Sequence, residues 1–179
     1  MNKLRLSYSL LHTWDKGDIQ GAIDLYFHVD RPLTEPLKRG REVHEEIEKH
    51  IKEHGSFPKW FFEYDLDNPT PEQPVTVEYN ELFDLKGVFD CLDGKTLFEF
   101  KTGNTDALAW ARTWQLPIYF LIAELSEIEV DKAILIRNNG KKSEFVIVHN
   151  TKGKREMARN IIDSIAPEIY AYFEQQGLV

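Results

Sequence analysis

The segment at residues 87–103 constrains the fold of this chain more than any other. Two short runs with alternating apolar residues flank the dipeptide Asp93-Gly94, which favours a two-residue type I′ turn. With these two residues in the loop, Leu92 lies opposite Lys95 and Asp90 lies opposite Leu97. The segment therefore predicts a β-hairpin.

Side-chain alternation along the two strands brings carboxylates together. One predicted face carries the charged residues and one leucine: Asp90, Leu97, Glu99 and Lys101. The other face is apolar: Phe89, Cys91, Phe98 and Phe100. Asp90 and Glu99 are diagonal neighbours, about 7–8 Å apart, where they repel unless a cation joins them. Oxygen ligands favour Mg²⁺ or Mn²⁺, whereas the alternative is a solvated strand face with a Glu99–Lys101 ion pair.

Four short motifs follow one another between residues 40 and 119. They are Gly-x-x-x-His at 40–44, Gly-x-x-Asp at 87–90, Glu-x-Lys-Thr-Gly at 99–103 and Gln-x-x-x-Tyr at 115–119. Their order and spacing resemble the RecB-like branch of the PD-(D/E)xK nuclease superfamily, which includes CRISPR-associated exonucleases. Residues 7–11 also resemble the opening of that branch, so the similarity covers residues 5–148.

The cysteine content differs from that of many CRISPR-associated members. Those proteins bind an iron–sulfur cluster through four cysteines, whereas this sequence has only Cys91. We therefore expect no iron–sulfur cluster. The cluster-free RecB-like nucleases, including phage-type enzymes, are the closer comparison.

The resemblance implies a metal-dependent catalytic site. Asp90 and Glu99 would be metal ligands, and the backbone carbonyl of Phe100 would add a contact. His44 would complete the metal site, although a lone histidine on an amphipathic helix is more often structural. Lys101 would be the catalytic lysine, orienting the attacking water or stabilising the transition state. The metal, Mg²⁺ or Mn²⁺, would lower the pKa of that water.

Four further residues are candidates for substrate binding. Gln115 and Tyr119 lie four residues apart and share a helix face, and Arg112 falls on the same stripe. The resemblance implies that Gln115 and Tyr119 contact the substrate or support the site. Tyr119 could instead simply pack in the core with neighbouring aromatic residues. Thr102 ends a strand beside Gly103, where the backbone can approach a phosphate closely.

The order of predicted elements indicates an α/β fold. Helices are predicted at 7–14, 18–27, 35–54, 106–125 and 153–176, and strands at 75–79, on both sides of the 93–94 turn, and at 130–137 and 143–149. Pro117 and Pro167 are expected to interrupt their helices. This order predicts a central mixed sheet with helices on both faces, the restriction-endonuclease-like arrangement that the resemblance also implies.

The length predicts one nuclease domain over residues 1–179. Its parts would be N-terminal helices at 1–55, a catalytic sheet core at 75–148 and a C-terminal helix at 153–176. No apolar run is long enough to span a bilayer, and the first residues lack a segment of signal-peptide length. With a single cysteine, these features predict a cytoplasmic protein without a membrane partner.

The charge distribution is uneven. The net charge of −8 argues against a general nucleic-acid coat protein. Residues 61–100 carry ten acidic and two basic side chains, whereas residues 131–160 carry eight basic and three acidic ones. An acidic metal centre beside a basic flank suits a nuclease, but the basic residues could equally form a solvated helix face.

The leading hypothesis is a metal-dependent DNA nuclease. The resemblance favours an exonuclease that hydrolyses phosphodiester bonds at DNA ends in repair, recombination or DNA processing. A helicase or recombination protein would then be a separate partner, and the oligomeric state stays open. The alternatives are a structure- or sequence-specific endonuclease and a module that binds nucleic acid or protein without cutting.

Overall fold

The computed structural model describes residues 3–30 and 32–178. The first half of the chain contains β1 (Leu4–Ser7), α1 (Tyr8–Asp15), α2 (Ile19–Tyr26), α3 (Glu35–His54) and β2 (Pro69–Glu78). The second half contains β3 (Phe83–Asp93), β4 (Thr96–Thr102), α4 (Ala107–Ala111), α5 (Gln115–Leu125), β5 (Lys132–Asn138), β6 (Ser143–His149) and α6 (Lys152–Gln175).

One mixed sheet contains the six strands, in the order β1-β3-β4-β5-β6, with β2 also paired to β3. β2 runs antiparallel along one edge of β3, from the Pro69–Asp93 pair to the Glu78–Asp84 pair. The opposite edge of β3 is shared by parallel β1, at residues 83–86, and antiparallel β4, at residues 91–93. Between them, residues 87–90 have no strand partner on that edge, so the sheet opens there.

Helices cover both faces of the sheet. The larger core cluster joins the sheet to α1, α5 and α6, with fully buried residues such as Leu11, Phe120 and Ile162. The second cluster joins the other face to α3 and the loop after it, through Ile47 and Phe61. The predicted arrangement of a mixed sheet between helical layers is therefore confirmed.

The long helices follow their sequence patterns. α3 ends before Gly55, as predicted, and its buried residues Ile47 and Ile51 lie one turn apart. In α6 a stripe of small and apolar residues packs on the larger core. Pro167 was expected to interrupt this helix, but α6 continues through it to Gln175. No helix within the described ranges is long and apolar enough to cross a membrane.

Two strands differ from the prediction. β1 precedes the first helix and was not expected, because four residues carry too weak a periodic signal. β2 begins at Pro69 rather than at residue 75, and its first six residues include three prolines. Since β2 pairs with β3 alone, its prolines can direct their missing N–H groups away from the ladder.

Candidate active site

The turn between β3 and β4 sets the register of the hairpin that carries Asp90 and Glu99. The pairs are Asp93–Thr96, Leu92–Leu97 and Cys91–Phe98, so the two loop residues are Gly94 and Lys95. The predicted Asp93-Gly94 loop, and with it the pairing of Asp90 with Leu97, was wrong. The Asp93 carboxylate instead accepts hydrogen bonds from the amides of residues 67 and 68, which keeps Asp93 in the strand.

The hairpin opens immediately after its last ladder pair. Continuing the register would place Asp90 opposite Glu99, but the described ladder stops at Cys91 and Phe98. The amide N–H of Phe100 donates to Oδ2 of Asp90 at 2.7 Å, so a side chain replaces the missing strand partner. The two carboxylates that the sequence singled out therefore lie at a fork in the sheet.

The alternation of β3 changes at the same place. Phe89 belongs to the larger core cluster, and its ring lies 5.4 Å from that of Tyr119. Cys91, two residues later, belongs to the second cluster together with Phe98 and Phe100. The predicted common face for Phe89 and Cys91 was thus wrong. Opposite Asp90, Glu72 of β2 adopts a left-handed backbone (φ 49°), which interrupts regular pairing at this position.

Glu99 is the most buried charged residue of the site, with 2% of its surface exposed. Its Oε1 accepts from the Lys101 ammonium at 2.6 Å and from Nε2 of Gln115 at 2.7 Å. Its Oε2 is buried without a partner among the described residues. Burial, reinforced by the charge of Asp90, raises the pKa of Glu99 to about 7. This carboxylate would be stabilised by an additional cation.

Lys101 is held between an acid and an aromatic ring. Besides its ion pair with Glu99, its ammonium lies 4.9 Å from the centroid of the Trp110 ring. Burial alone would lower the pKa of Lys101, but the nearby acidic groups, Glu99 first and then Asp90, together outweigh burial and raise it. Lys101 is therefore a protonated, largely buried cation rather than a solvated strand residue.

His44 approaches Asp90 from the other face. Its Nδ1 lies 3.6 Å from Oδ1 of Asp90, too long for a strong hydrogen bond. The imidazole also contacts the Phe100 ring edge-on, with 5.9 Å between centroids. Burial opposes the imidazolium, but the Asp90 and Glu99 carboxylates together outweigh burial and raise the pKa of His44. α3 thus brings the third predicted ligand beside the first.

Gln115 links the acidic centre to α5. Its Nε2 lies within hydrogen-bond distance of both Glu99 and the Tyr119 hydroxyl, the latter at 3.1 Å. Both residues lie in the first turns of α5 and are buried. Burial, followed by the charges of Glu99 and Asp90, raises the pKa of Tyr119 well above its usual value. Tyr119 therefore packs in the core and also completes the hydrogen-bond network of Glu99.

Three other predicted residues have different surroundings. Arg112 is exposed and follows α4 as its C-cap, so it does not share a helix face with Gln115 and that expectation was wrong. Thr102 ends β4 and touches α3: a Cβ added to Gly40 would lie 2.9 Å from its Oγ1. The Phe100 ring is buried in the second cluster.

Tyr8 lies near the site although no role was predicted for it. Its ring stacks on His12 at 5.3 Å and meets Trp114 edge-on at 5.5 Å. Burial raises the pKa of Tyr8, and the charges of Lys101 and Glu99 both act on its hydroxyl. The only sequence signal was its place within residues 7–11, and the β1–β3 pairing that positions it has no local signature.

The acidic side chains do not form a ready-made metal cage. Within residues 3–30 and 32–178, no three His, Cys, Asp or Glu side chains converge closely enough to hold a metal ion. The Lys101 ammonium is the cation that Glu99 contacts instead. What the fold provides is two carboxylates at the fork, one with a buried free oxygen, and a neighbouring imidazole.

Comparison with known proteins identifies the fold. No protein-family model matches the sequence, and no curated protein is significantly similar to it. The crystal structure of SSO0001 matches with a TM-score of 0.56 at 13% identity, covering 96% of this chain and 78% of that one. An alkaline exonuclease, LHK-Exo from Laribacter hongkongensis, matches with a TM-score of 0.61 at 12% identity, covering 97% and 91% of the two chains.

A second structure of LHK-Exo, in complex with dAMP, gives the same TM-score of 0.61 at 11% identity, covering 96% of this chain and 90% of that one. At such low identity, these similarities establish a shared fold. The chain therefore has the α/β fold of an alkaline exonuclease, which is the architecture expected from the sequence.

Proposed function

We propose that this protein is a metal-dependent DNA nuclease. The observation that carries the proposal is the convergence of Asp90, Glu99 and Lys101 at the fork of the sheet, where Glu99 retains a buried oxygen without a partner. The fold shared with an alkaline exonuclease supports this choice. Residues 1–179 would form a single nuclease domain.

The donor atoms suit a hard divalent cation. Asp90, Glu99 and the carbonyl oxygen of Phe100 would supply oxygen ligands, and His44 would add a nitrogen. The buried Oε2 of Glu99, which has no partner among the described residues, supports this assignment, because a cation bound there would favour the ionised carboxylate. Mg²⁺ or Mn²⁺ bound there would activate water and offset negative charge on a phosphate.

Lys101 would act as a cation. The neighbouring carboxylates favour its charged form and raise its pKa, so we assign it the role of a cation rather than of a base. Its ammonium would orient the attacking water or stabilise the charge that develops on the phosphate. The Trp110 ring on one side and Glu99 on the other limit where that ammonium can lie.

Gln115 and Tyr119 would support the acid and contact the substrate. The Gln115 amide holds one oxygen of Glu99, which leaves the other oxygen for a cation. Thr102, at the end of β4, and Arg112, exposed after α4, would lie along the path of the DNA backbone. In this proposal Gln115 and Tyr119 position Glu99, whereas Thr102 and Arg112 contact the DNA backbone.

Cleavage of end-labelled linear DNA tests the proposal. Single-stranded, double-stranded and closed circular DNA would be incubated with Mg²⁺, Mn²⁺ or EDTA, using the wild type and Glu99→Gln. We expect metal-dependent loss of linear DNA that is absent in the variant, as an exonuclease requires. Cutting of the circle would identify an endonuclease, and an equally active variant would refute the assignment of Glu99.

A non-cleaving nucleic-acid-binding module is the second candidate. It is favoured by the Lys101–Glu99 ion pair, which satisfies part of the acidic centre without a metal. Thermal unfolding with and without Mn²⁺ distinguishes the two, because a ligand that binds only the folded state raises the Tm. We expect a rise in the wild type that is lost in the double variant Asp90→Asn/Glu99→Gln.

A further inference from the structure

A groove of about 1380 Å³ lies beside the candidate active site. Its walls are the first half of α3, the turn between β5 and β6, and the loop that carries Trp60. His44 and Thr102 also line the groove. Because these two residues adjoin the acidic centre, a chain lying in the groove can continue directly into the site.

Trp60 presents an exposed ring on a fixed backbone. The Phe61 and Phe62 amides both donate to the Pro58 carbonyl, which closes a tight turn around Trp60. Asn138 donates to the Trp60 carbonyl at 3.4 Å, and the Ser143 hydroxyl donates to the Phe61 carbonyl. Trp60 nevertheless remains 47% exposed, and its ring contacts that of Phe61 with 5.8 Å between centroids. The turn therefore holds a large aromatic surface open to the groove.

Two cations lie at the β5–β6 turn, which forms one side of the same groove. Arg39 of α3 extends to the β5–β6 turn, where a Cβ added to Gly140 would lie 2.9 Å from its Nη2. Lys141 follows in that turn and is exposed. Within the part of the chain that the structure describes, no ion pair involves either side chain. Both charges are thus available to an anionic ligand.

Three acidic residues of α3 also line the groove, and two of them lie within about one turn of Arg39. Glu35 forms an ion pair with Lys38 on the same helix turn, at 2.9 Å. Glu42 and Glu46 follow one and two turns after Arg39 along α3. The positive charge available to a polyanion is therefore concentrated at Arg39 and Lys141, and Glu42 and Glu46 limit how closely phosphates approach α3 between that pair and His44.

We propose that the groove binds single-stranded DNA continuous with the strand that enters the active site. Trp60 stacks on a base, while Arg39 and Lys141 contact phosphates. Stacking on an aromatic side chain needs an unpaired base with an accessible face, which a closed duplex does not offer. The inference rests on the proposed nuclease function and specifies its substrate as DNA with a single-stranded segment.

The test separates binding from cleavage. Affinity for a labelled single-stranded oligonucleotide would be measured by fluorescence anisotropy in EDTA, with every variant made on a Glu99→Gln background. We expect Trp60→Ala to weaken binding by about tenfold or more, and Trp60→Phe to restore most of the affinity. Phe145→Ala is the matched control, because Phe145 is also an exposed aromatic residue (55%) but does not line the groove.

The salt dependence tests the two cations. For single-stranded DNA, each lost phosphate contact lowers the slope of log affinity against log salt by about 0.7. Arg39→Ala and Lys141→Ala should each show this decrease, and the double variant should show about twice the decrease. An unchanged slope in the double variant would overturn their assignment.

The two proposals fail in different ways. If Trp60→Ala binds the single-stranded oligonucleotide as tightly as its parent, the groove is not the binding site, even if the wild type cleaves DNA. The same conclusion follows if Trp60→Ala loses affinity for a blunt duplex to the same extent as for the single strand. If no metal supports cleavage but binding still depends on Trp60, the nuclease function is refuted and the assignment of the groove as a DNA-binding site is retained. Thermal unfolding of each variant checks that the fold is retained.

Discussion

The buried Glu99 carboxylate makes the stability of the metal-free protein depend on pH. Its pKa is raised from 4.5 to about 7, which corresponds to about 3 kcal/mol of unfolding free energy at about 1.4 kcal/mol per pH unit. Because the folded state holds this proton more tightly, the stability contribution is present below pH 4.5. It is lost progressively as the pH rises to about 7 and is constant above that.

Glu99→Gln isolates this contribution, since the amide has the same shape and does not titrate. Unfolding by urea would be measured for both proteins in EDTA between pH 4 and 8. We expect the difference in unfolding free energy, variant minus wild type, to rise with pH by up to about 1.4 kcal/mol per unit between pH 4.5 and 7. Lys101, with its raised pKa, stays charged in the wild type across this window.

The same measurement in Mg²⁺ or Mn²⁺ tests the metal assignment. A bound divalent cation favours the ionised carboxylate, so the pH-dependent loss in the wild type should become smaller. A flat difference curve in EDTA would refute the reasoning about burial. A steep curve that neither metal reduces would instead refute the role of Glu99 as a ligand.

Three further predictions concern neighbouring residues. Lys101→Met should abolish cleavage in the labelled-DNA assay while the circular dichroism spectrum stays native; normal cutting would contradict the proposed mechanism. Asp90→Ala should be less stable than Asp90→Asn by about 1–3 kcal/mol in urea unfolding, because only the amide keeps an acceptor for the buried Phe100 N–H. Equal stabilities would show that this hydrogen bond contributes little. Gly40→Ala should destabilise the wild-type protein, because the added Cβ would lie 2.9 Å from Oγ1 of Thr102. In a Thr102→Ala background that contact is removed, and the same substitution should stabilise the protein by up to about 1 kcal/mol through the higher helix propensity of alanine. If Gly40→Ala changes the unfolding free energy equally in both backgrounds, the contact does not explain its effect.

The sequence predicted the hairpin and the grouping of its charged residues, but not the exact pairing. Moving the loop from 93–94 to 94–95 shifts each strand by one residue, so Asp90 and Glu99 stay on the same side. The cause is tertiary, since Asp93 is also paired with Pro69 of β2. A local turn preference could not anticipate that second partner.

The interruption that Pro117 predicted within residues 106–125 is confirmed, since α4 ends at Ala111 and α5 begins at Gln115. Pro117 has no N–H to donate to the carbonyl of Thr113, four residues before it. The Thr113 hydroxyl also donates to the Trp110 carbonyl at 2.8 Å, which competes with continued helix. Arg112 therefore falls in the connection, whereas Gln115 and Tyr119 keep their predicted spacing at the start of α5.

The environment of Tyr8 could not be predicted at all from neighbouring residues. β1 is four residues long, and its partners begin at Phe83, so the contact depends on chain segments far apart in the sequence. Periodicity detects local structure and does not detect such pairings. For the same reason, the fork that separates Asp90 from Glu99 is visible only in the assembled sheet.

The pairing of β1 with β3, which lies much later in the sequence, also has a consequence for the order of folding. Leu4 pairs with Phe83, 79 residues further along the chain, and closing so long a loop is entropically slow compared with forming the local β3–β4 hairpin. During synthesis the first strand leaves the ribosome early but must wait unpaired until β3 has emerged. The acidic hairpin can therefore form before β1 pairs with β3 and brings Tyr8 beside it.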